Sequence, residues 1–446
     1  MPPSRSLPRA VVFAVVIVLV CSLIGPASLQ PHMWGSQGWY GLEYGTRAAL
    51  FVTGVALCSR GFGGALDRLW HIAPLPRTIS IPALIAFAGL LWIARTEVFW
   101  GNPDIAAEDA IRGRVNLKHP LSASLLALVS AAGARLGGYP TGPNAVRWVS
   151  VASGAVFALG AAALGRALFP ESRVKSRVVC GVFLSSTIVQ QFCGVIETYP
   201  AATAMQMWTL AAIAHGSRTD EPSAMRWSIT ALVLAGFNAG FFIATIFLAP
   251  AAVLVFLMNL RKRGRSSAAL VAGACAFLIA PAIAFVAVAT RGYSWRLMLA
   301  SFGGVDGTAW VQLSEGARPH QHFTLLSLHH ASARWNASIF AAPMWPAAAA
   351  AVLSSRSHDA RPPWLPALGL AALSALSFFV LIHPDLGPAS DWMQTATGVV
   401  APFALLVAWG LSKADDGDAA RWGTAAVGAS TLITIPTILM NARILG

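Results

Sequence analysis

Apolar runs long enough to cross the roughly 30 Å hydrocarbon core of a bilayer recur from one end of this 446-residue chain to the other. In hydrocarbon the backbone must satisfy its own hydrogen bonds, so such a chain folds as packed helices or a closed barrel. The runs are continuous and do not alternate with period two, which selects helices. Composition agrees: 56% of residues are hydrophobic, 11% are charged, and mean hydropathy is +0.63. No ordinary soluble domain has that balance. Nor is any interval long enough for a separate soluble domain, so residues 1–446 read as one membrane-embedded unit.

Candidate spans fall at about 8–27, 46–59, 79–95, 145–166, 178–196, 200–215, 227–241, 242–260, 266–289, 336–353, 364–382, 393–411 and 422–441. The expectation is an all-α polytopic bundle of about 11–13 spans. Residues 227–260 form one apolar run, split here at Phe237-Asn238-Ala239-Gly240. With a cytoplasmic N-terminus, alternation puts 19 of the 31 basic residues in short inside loops, from Arg5 and Arg9 to Lys413 and Arg421. Basic residues concentrate in cytoplasmic loops for the same reason. The net charge of +13 is therefore topological and implies no nucleic-acid partner. The first span also resembles a secretory signal, since Arg5 and Arg9 precede an apolar stretch ending near Pro26-Ala27-Ser28. It is read as a retained span. All five cysteines sit inside apolar runs and act as small hydrophobes, with no disulfides expected.

The longer polar segments, 28–45, 96–144, 290–335 and 383–392, all land outside. Residues 121–137 are apolar at helical spacing but short, which fits a helix lying along the interface. Just before them, Glu97 to Leu125 gathers Glu97, Asp104, Glu108, Asp109, Arg112, Arg114 and Lys118 into a chain otherwise poor in charge. Ionisable groups near a bilayer mark water or a polar substrate. If 104–109 is helical, Asp104 and Glu108 share a face, and a carboxylate at a low-dielectric boundary can serve as a general base. The same spacing also fits a solvated loop whose acids pair with Arg112 and Arg114. Glu197 lies between two spans, where a charge needs a partner or water. No cofactor is expected. The histidines at 320, 322, 329 and 330 lack matching carboxylates for zinc, and Asp415, Asp416 and Asp418 read as a solvated turn.

Taken in order along the chain, several motifs carry a likeness. Asp104-x14-His119-Pro120-Leu121 with its following apolar run resembles the first external loop of the GT-C superfamily of membrane glycosyltransferases. The likeness is to the protein O-mannosyltransferase-like and aminoarabinose-transferase-like members. Val195-Ile196-Glu197-Thr198-Tyr199, Ala235-Gly236-Phe237-Asn238 with Leu248-Ala249-Pro250, His322 to His329, and His383-Pro384-Asp385-Leu386-Gly387 with Asp391-Trp392 are similar to later elements of that family. The chain departs from it in having more spans before the loop than the one that many relatives have. It also lacks a second acid close after the loop aspartate.

The resemblance implies sugar transfer from a polyprenyl-phosphate donor to an acceptor hydroxyl on a protein, glycan or lipid. The transfer would be inverting and would occur on the extracytoplasmic face of the cell membrane. It marks Asp104 as the base, with Glu108 and Asp109 as less close matches. Arg112, Arg114, Lys118, Arg291, Arg296, Arg318 and His119 become candidates for the lipid phosphate. Glu197, Tyr199, His322, His383 and Asp391 join the substrate site, and membrane lipids surround it. Two other readings stand beside this one. A transporter or flippase would use polar groups at mid-span, for which Asn238 is the one good candidate. A ligase of lipid-linked glycans would rely on Arg291 and His322 instead of the acidic loop.

Overall fold

A computed structural model describes residues 7–24, 42–59, 61–72, 80–97, 103–114, 116–136, 142–263, 267–294, 296–297, 311, 313, 324–354, 361–382 and 392–443. Among these residues the chain is helical, with no strand. The helices are α1 (Arg9–Leu19), α2 (Tyr44–Leu57), α3 (Phe62–Ile72), α4 (Ile81–Ile93), α5 (Pro103–Arg112), α6 (Pro120–Arg135), α7 (Pro143–Leu168), α8 (Arg173–Leu184) and α9 (Tyr199–Gly216). They continue with α10 (Ala224–Phe241), α11 (Ala249–Arg263), α12 (Ser267–Ala289), α13 (Leu328–Ala341), α14 (Trp345–Ser354), α15 (Leu365–Leu381), α16 (Trp392–Ser412) and α17 (Asp416–Asn441).

Every apolar run of the sequence lies on a helix, yet fewer helices than runs are built to cross a membrane unaided. Among the described residues five are long and apolar enough, or up to seven if α2 with α3 (bent 67°) and α13 with α14 (bent 94°) each count once. Four shorter apolar helices add to these, α6 among them. The difference from 11–13 spans is physical. Several runs are divided by breaks, as where α8 ends and Thr187–Phe192 forms a 3-10 turn. The 227–260 run also breaks later than expected, at Phe242 (φ −146°, ψ 112°), before a 3-10 turn over Ile243–Leu248. Its glycines are spacers and not breakers. A Cβ on Gly236 would stand 2.5 Å from the Phe277 carbonyl oxygen, and one on Gly240 would stand 2.4 Å from Leu121 Cδ1.

Helix α7 packs on α9, α9 on α10, α10 on α12, and α15 on α16. The shared core is rich in alanine, as at Ala161, Ala162, Ala202, Ala211, Ala212 and Ala214. Small residues let backbones approach, the usual device where lipid removes the hydrophobic incentive to associate. Serine and threonine hydroxyls close the breaks. Ser150 donates to the Gln191 carbonyl (2.7 Å), Ser430 to the Ser185 carbonyl (2.8 Å), and Thr203 to Gln191 Oε1 (3.0 Å).

The two ends of the bundle differ in character. At one end lie the α2–α3 corner, the start of α8, the α9–α10 turn, the end of α11 and the start of α17. Here Lys262 pairs with Asp220, and Arg263 donates to the Glu221 and Pro222 carbonyls. Asp415 caps α17, accepting from the Asp418 amide at 2.8 Å, while Asp416 accepts from Ser172 at 2.5 Å, so these acids serve a helix start. Arg421 is 1% exposed and donates to the Leu57 and Ser59 carbonyls at 2.9 and 2.5 Å, with Asp67 at 3.7 Å. It satisfies the C-terminal carbonyls of α2 and fixes the bend to α3. Removing one partner of a buried pair strands the other, at a cost of about 3–5 kcal/mol. Arg421→Ala is therefore expected to lower unfolding stability in detergent by about that amount. Asp220→Ala, at an exposed pair, should change the same measurement by less than about 1 kcal/mol.

Candidate active site

At the opposite end the start of α6, the start of α9, the end of α10 and the start of α16 converge. Asn116 shapes the approach: its Oδ1 accepts from the Lys118 amide at 2.9 Å and its carbonyl from the His119 amide at 3.1 Å. Pro120 then opens α6 at a position where no amide is needed. The Ser122 hydroxyl lies 2.9 Å from the Phe241 carbonyl and 3.1 Å from the Thr198 carbonyl, and the Ile243 amide donates to the Lys118 carbonyl at 3.0 Å. Gly240 gives Leu121 the room for this approach.

Helix α5 lies across the junction and packs on α6 and α7. It begins on Pro103 and carries Asp104 in its first turn and Arg112 in its last, all favourable to the helix dipole. Gly113, at φ 62°, ends it in the left-handed region. One face of α5 carries Ile105, Ala106, Asp109 and Ala110 into the wall of a polar cavity of about 130 Å³. Asn116, Lys118, His119, Ala123, Leu126, Glu197, Thr198, Tyr199 and Gln394 complete that wall. An engineered apolar cavity of about 150 Å³ holds benzene, so this one is ring-sized.

The opposite face of α5 carries Asp104, Glu108 and Arg112. Asp104 is exposed. Glu108 takes Arg112 at 2.8 Å and Arg114 at 3.9 Å. Glu97 pairs with Arg95 at 3.7 Å, and its amide donates to the Asn441 carbonyl, which ties this segment to the end of α17. Five loop residues named from the sequence thus meet: Asp109, Lys118, His119, Glu197 and Tyr199. Asp104, Glu108, Arg112 and Arg114 lie outside the cavity wall. Arg291 and Arg296 are exposed beyond α12. Arg318, His322, His383 and Asp391 fall outside the described residues. Asn116, Thr198 and Gln394 were not singled out from the sequence. Gln394 had one available signal, a lone amide in the first turn of an apolar helix.

Burial pushes the Asp109 carboxyl above its ordinary value, Arg114 pulls it back, and Glu108 pushes it up again. Glu197 is buried, and its Oε2 accepts from the Thr198 amide at 3.1 Å. His119 is buried as well. Its ring stacks on Phe242 (4.6 Å, 10°) and meets the edge of Tyr199 (4.8 Å, 89°). Burial first and Lys118 second push its pKa down to about 3, against a smaller opposing effect of the Phe241 carbonyl. The imidazole is therefore neutral at physiological pH. Among the described residues no three His, Cys, Asp or Glu side chains converge as a metal site. His330 is engaged elsewhere, with the Leu325 carbonyl at 2.8 Å and Arg334 Nε at 3.0 Å.

An apolar groove of about 420 Å³ draws on two of the same helices, α6 and α9. It is lined by Leu125 and Val129 of α6, Trp148 and Val156 of α7, Met205 of α9 and Phe241. A second, of about 440 Å³, lies between α13, α15 and α16.

No family model and no curated protein matches the chain. Two solved structures do. The crystal structure of ArnT from Cupriavidus metallidurans bound to undecaprenyl phosphate aligns with a TM-score of 0.50 and 13% identity, over 80% of this chain and 77% of that one. The apo structure of the same protein aligns with a TM-score of 0.51 and 12% identity over the same shares. The chain thus shares the polytopic helical fold of that protein. Its particular likeness is to ArnT.

The buried neutral histidine sets a pH dependence. As pH falls below about 6.5 the unfolded chain takes up a proton at this residue that the folded chain refuses until about 3. The stability His119 permits is therefore full above about 6.5 and is lost progressively below it. Melting temperature followed from pH 7 to 5 is expected to fall less steeply in His119→Asn than in the parent.

Proposed function

We propose that the chain is a glycosyltransferase that moves a sugar from a polyprenyl-phosphate donor to an acceptor hydroxyl, with inversion, on the extracytoplasmic side of the cell membrane. The observation that carries this reading is one ring-sized cavity holding two carboxylates, Asp109 and Glu197, together with Lys118, and an apolar groove on two of the same helices. The fold it shares with ArnT, whose crystal structure contains undecaprenyl phosphate, supports the same donor class.

In this reaction a cavity carboxylate takes the proton of the acceptor hydroxyl as its oxygen attacks the anomeric carbon. The bond from that carbon to the phosphate oxygen breaks, and the lipid phosphate leaves with the electron pair. Lys118 supplies positive charge to the departing phosphate. The isoprenoid tail runs along the groove of α6, α7, α9 and α10, where apolar side chains replace lipid. Asp109 is assigned the proton. Two features support it over Asp104: it lines the cavity, and its raised pKa suits a base working nearer neutrality. Asp104 sits five residues earlier, roughly 140° around the helix and exposed. This reading covers a hexose or a pentose as the sugar and a protein, glycan or lipid hydroxyl as the acceptor.

Transfer by the purified full-length protein from undecaprenyl-phosphate sugars tests the assignment. Asp109→Asn is expected to lower turnover by about 10²- to 10⁴-fold while melting stays close to the parent's. Asp104→Asn should retain most activity. The reverse pattern would return the base to Asp104, and uptake into liposomes with no covalent product would point to a transporter.

A further inference from the structure

We propose that His119 is a sugar-recognition residue whose Nδ1 accepts a hydrogen bond from a hydroxyl of the donor's sugar, so that it reads the sugar and not the phosphate. The inference rests on the glycosyltransferase reading above and deepens it.

The starting observation is an unpaired acceptor. His119 is 4% exposed and lines the cavity, yet its Nδ1 has no hydrogen-bond partner among the described residues. A buried polar atom left without a partner costs about 1–3 kcal/mol, so such atoms are normally matched by protein, water or ligand. The other ring nitrogen is committed. With Nδ1 unpaired, the backbone hydrogen bond to the Phe241 carbonyl is made by Nε2, which must carry the proton to donate. That fixes the tautomer and leaves Nδ1 as a lone-pair acceptor. The ring cannot turn away from this role, since Phe242 is stacked on one face and Tyr199 stands edge-on to it.

The remaining wall indicates what the acceptor awaits. Asp109 and Glu197 bring carboxylate oxygens, which also accept. An occupant facing three acceptors must offer several donors, as the hydroxyls of a sugar ring do. A phosphate dianion offers none and would meet the Nδ1 lone pair with repulsion. The cation suited to phosphate is the neighbouring Lys118. Burial and that same lysine keep the imidazole uncharged, which removes the means by which a histidine would bind phosphate.

The test compares two probes on the full-length protein in lipid nanodiscs: undecaprenyl phosphate, and undecaprenyl-phosphate mannose or aminoarabinose, whichever the parent binds more tightly. His119→Gln keeps a donor in the Nε2 position but no acceptor at Nδ1. It is expected to weaken the glycosylated lipid about tenfold and leave undecaprenyl phosphate within twofold. His119→Asn, whose Oδ1 takes the place of Nδ1, should keep most of the preference for the glycosylated lipid. Equal loss for both lipids in His119→Gln would overturn the inference in favour of a phosphate or scaffolding role, and no loss for either would overturn it outright. Should the glutamine variant not fold, selective ¹⁵N-histidine spectra of the parent give the answer. A hydrogen-bond shift of one Nδ1 on adding the glycosylated lipid, and not undecaprenyl phosphate, supports the inference; its absence refutes it. A parent that binds neither lipid would bring down the glycosyltransferase reading itself, whereas binding of both with no effect of His119 would bring down this inference alone.

Discussion

The site depends on one backbone tie. The Lys118 carbonyl accepts from the Ile243 amide, and Ser122 reaches the carbonyls of Thr198 and Phe241. These bonds join the start of α6 to the start of α9 and to the end of α10, where the Phe241 carbonyl lies beyond the last intrahelical bond. Each is worth only about 1 kcal/mol net. Their geometric effect is larger, because they bring Lys118, His119, Glu197 and Tyr199 into one wall. Helix α5 then needs only its Ile105–Asp109 face turned inward to add the second carboxylate. Gly240 permits the whole arrangement by leaving Leu121 space that a Cβ would fill.

The opposite end of the bundle is organised by a different requirement. Arg421 donates to the last carbonyls of α2 and faces Asp67 at 3.7 Å where the chain turns between helices. Basic residues gather there, as at Arg261, Lys262 and Arg263 of α11, while the carboxylates of the cavity lie on α5 and just before α9 at the other end. A helix running between the two ends carries charge at its termini and alanine, glycine and hydroxyl-bearing residues between them. That separation lets a chain with so few charged residues keep a polar site without burying charge in hydrocarbon.

The membrane-embedded helical class was legible because continuous apolar runs admit few other folds, and each run does lie on a helix. Their division was less legible. Phe237 to Gly240 looks like a break by composition, but Gly236 and Gly240 face α12 and α6 as spacers, and the turn comes at Phe242. The acidic stretch itself was legible by its anomalous charge. Which acid faces inward was not, because Asp104 and Asp109 differ only by rotation around α5, and that rotation is set by tertiary packing on α6 and α7. Tyr199 and Glu197 could be named from their place between spans. Gln394, nearly 200 residues further along, enters the wall only through the packing of α16.

The central claim is that the cavity at the starts of α6, α9 and α16 receives the phosphate end of a polyprenyl donor, with the tail in the groove of α6, α7, α9 and α10. A cryo-electron microscopy structure of the full-length protein with undecaprenyl phosphate addresses it most directly. The account predicts phosphate density within hydrogen-bond distance of Lys118 Nζ and an isoprenoid tail passing Val129, Trp148 and Met205. Phosphate bound away from Lys118, with the tail in the groove between α13, α15 and α16, would contradict it.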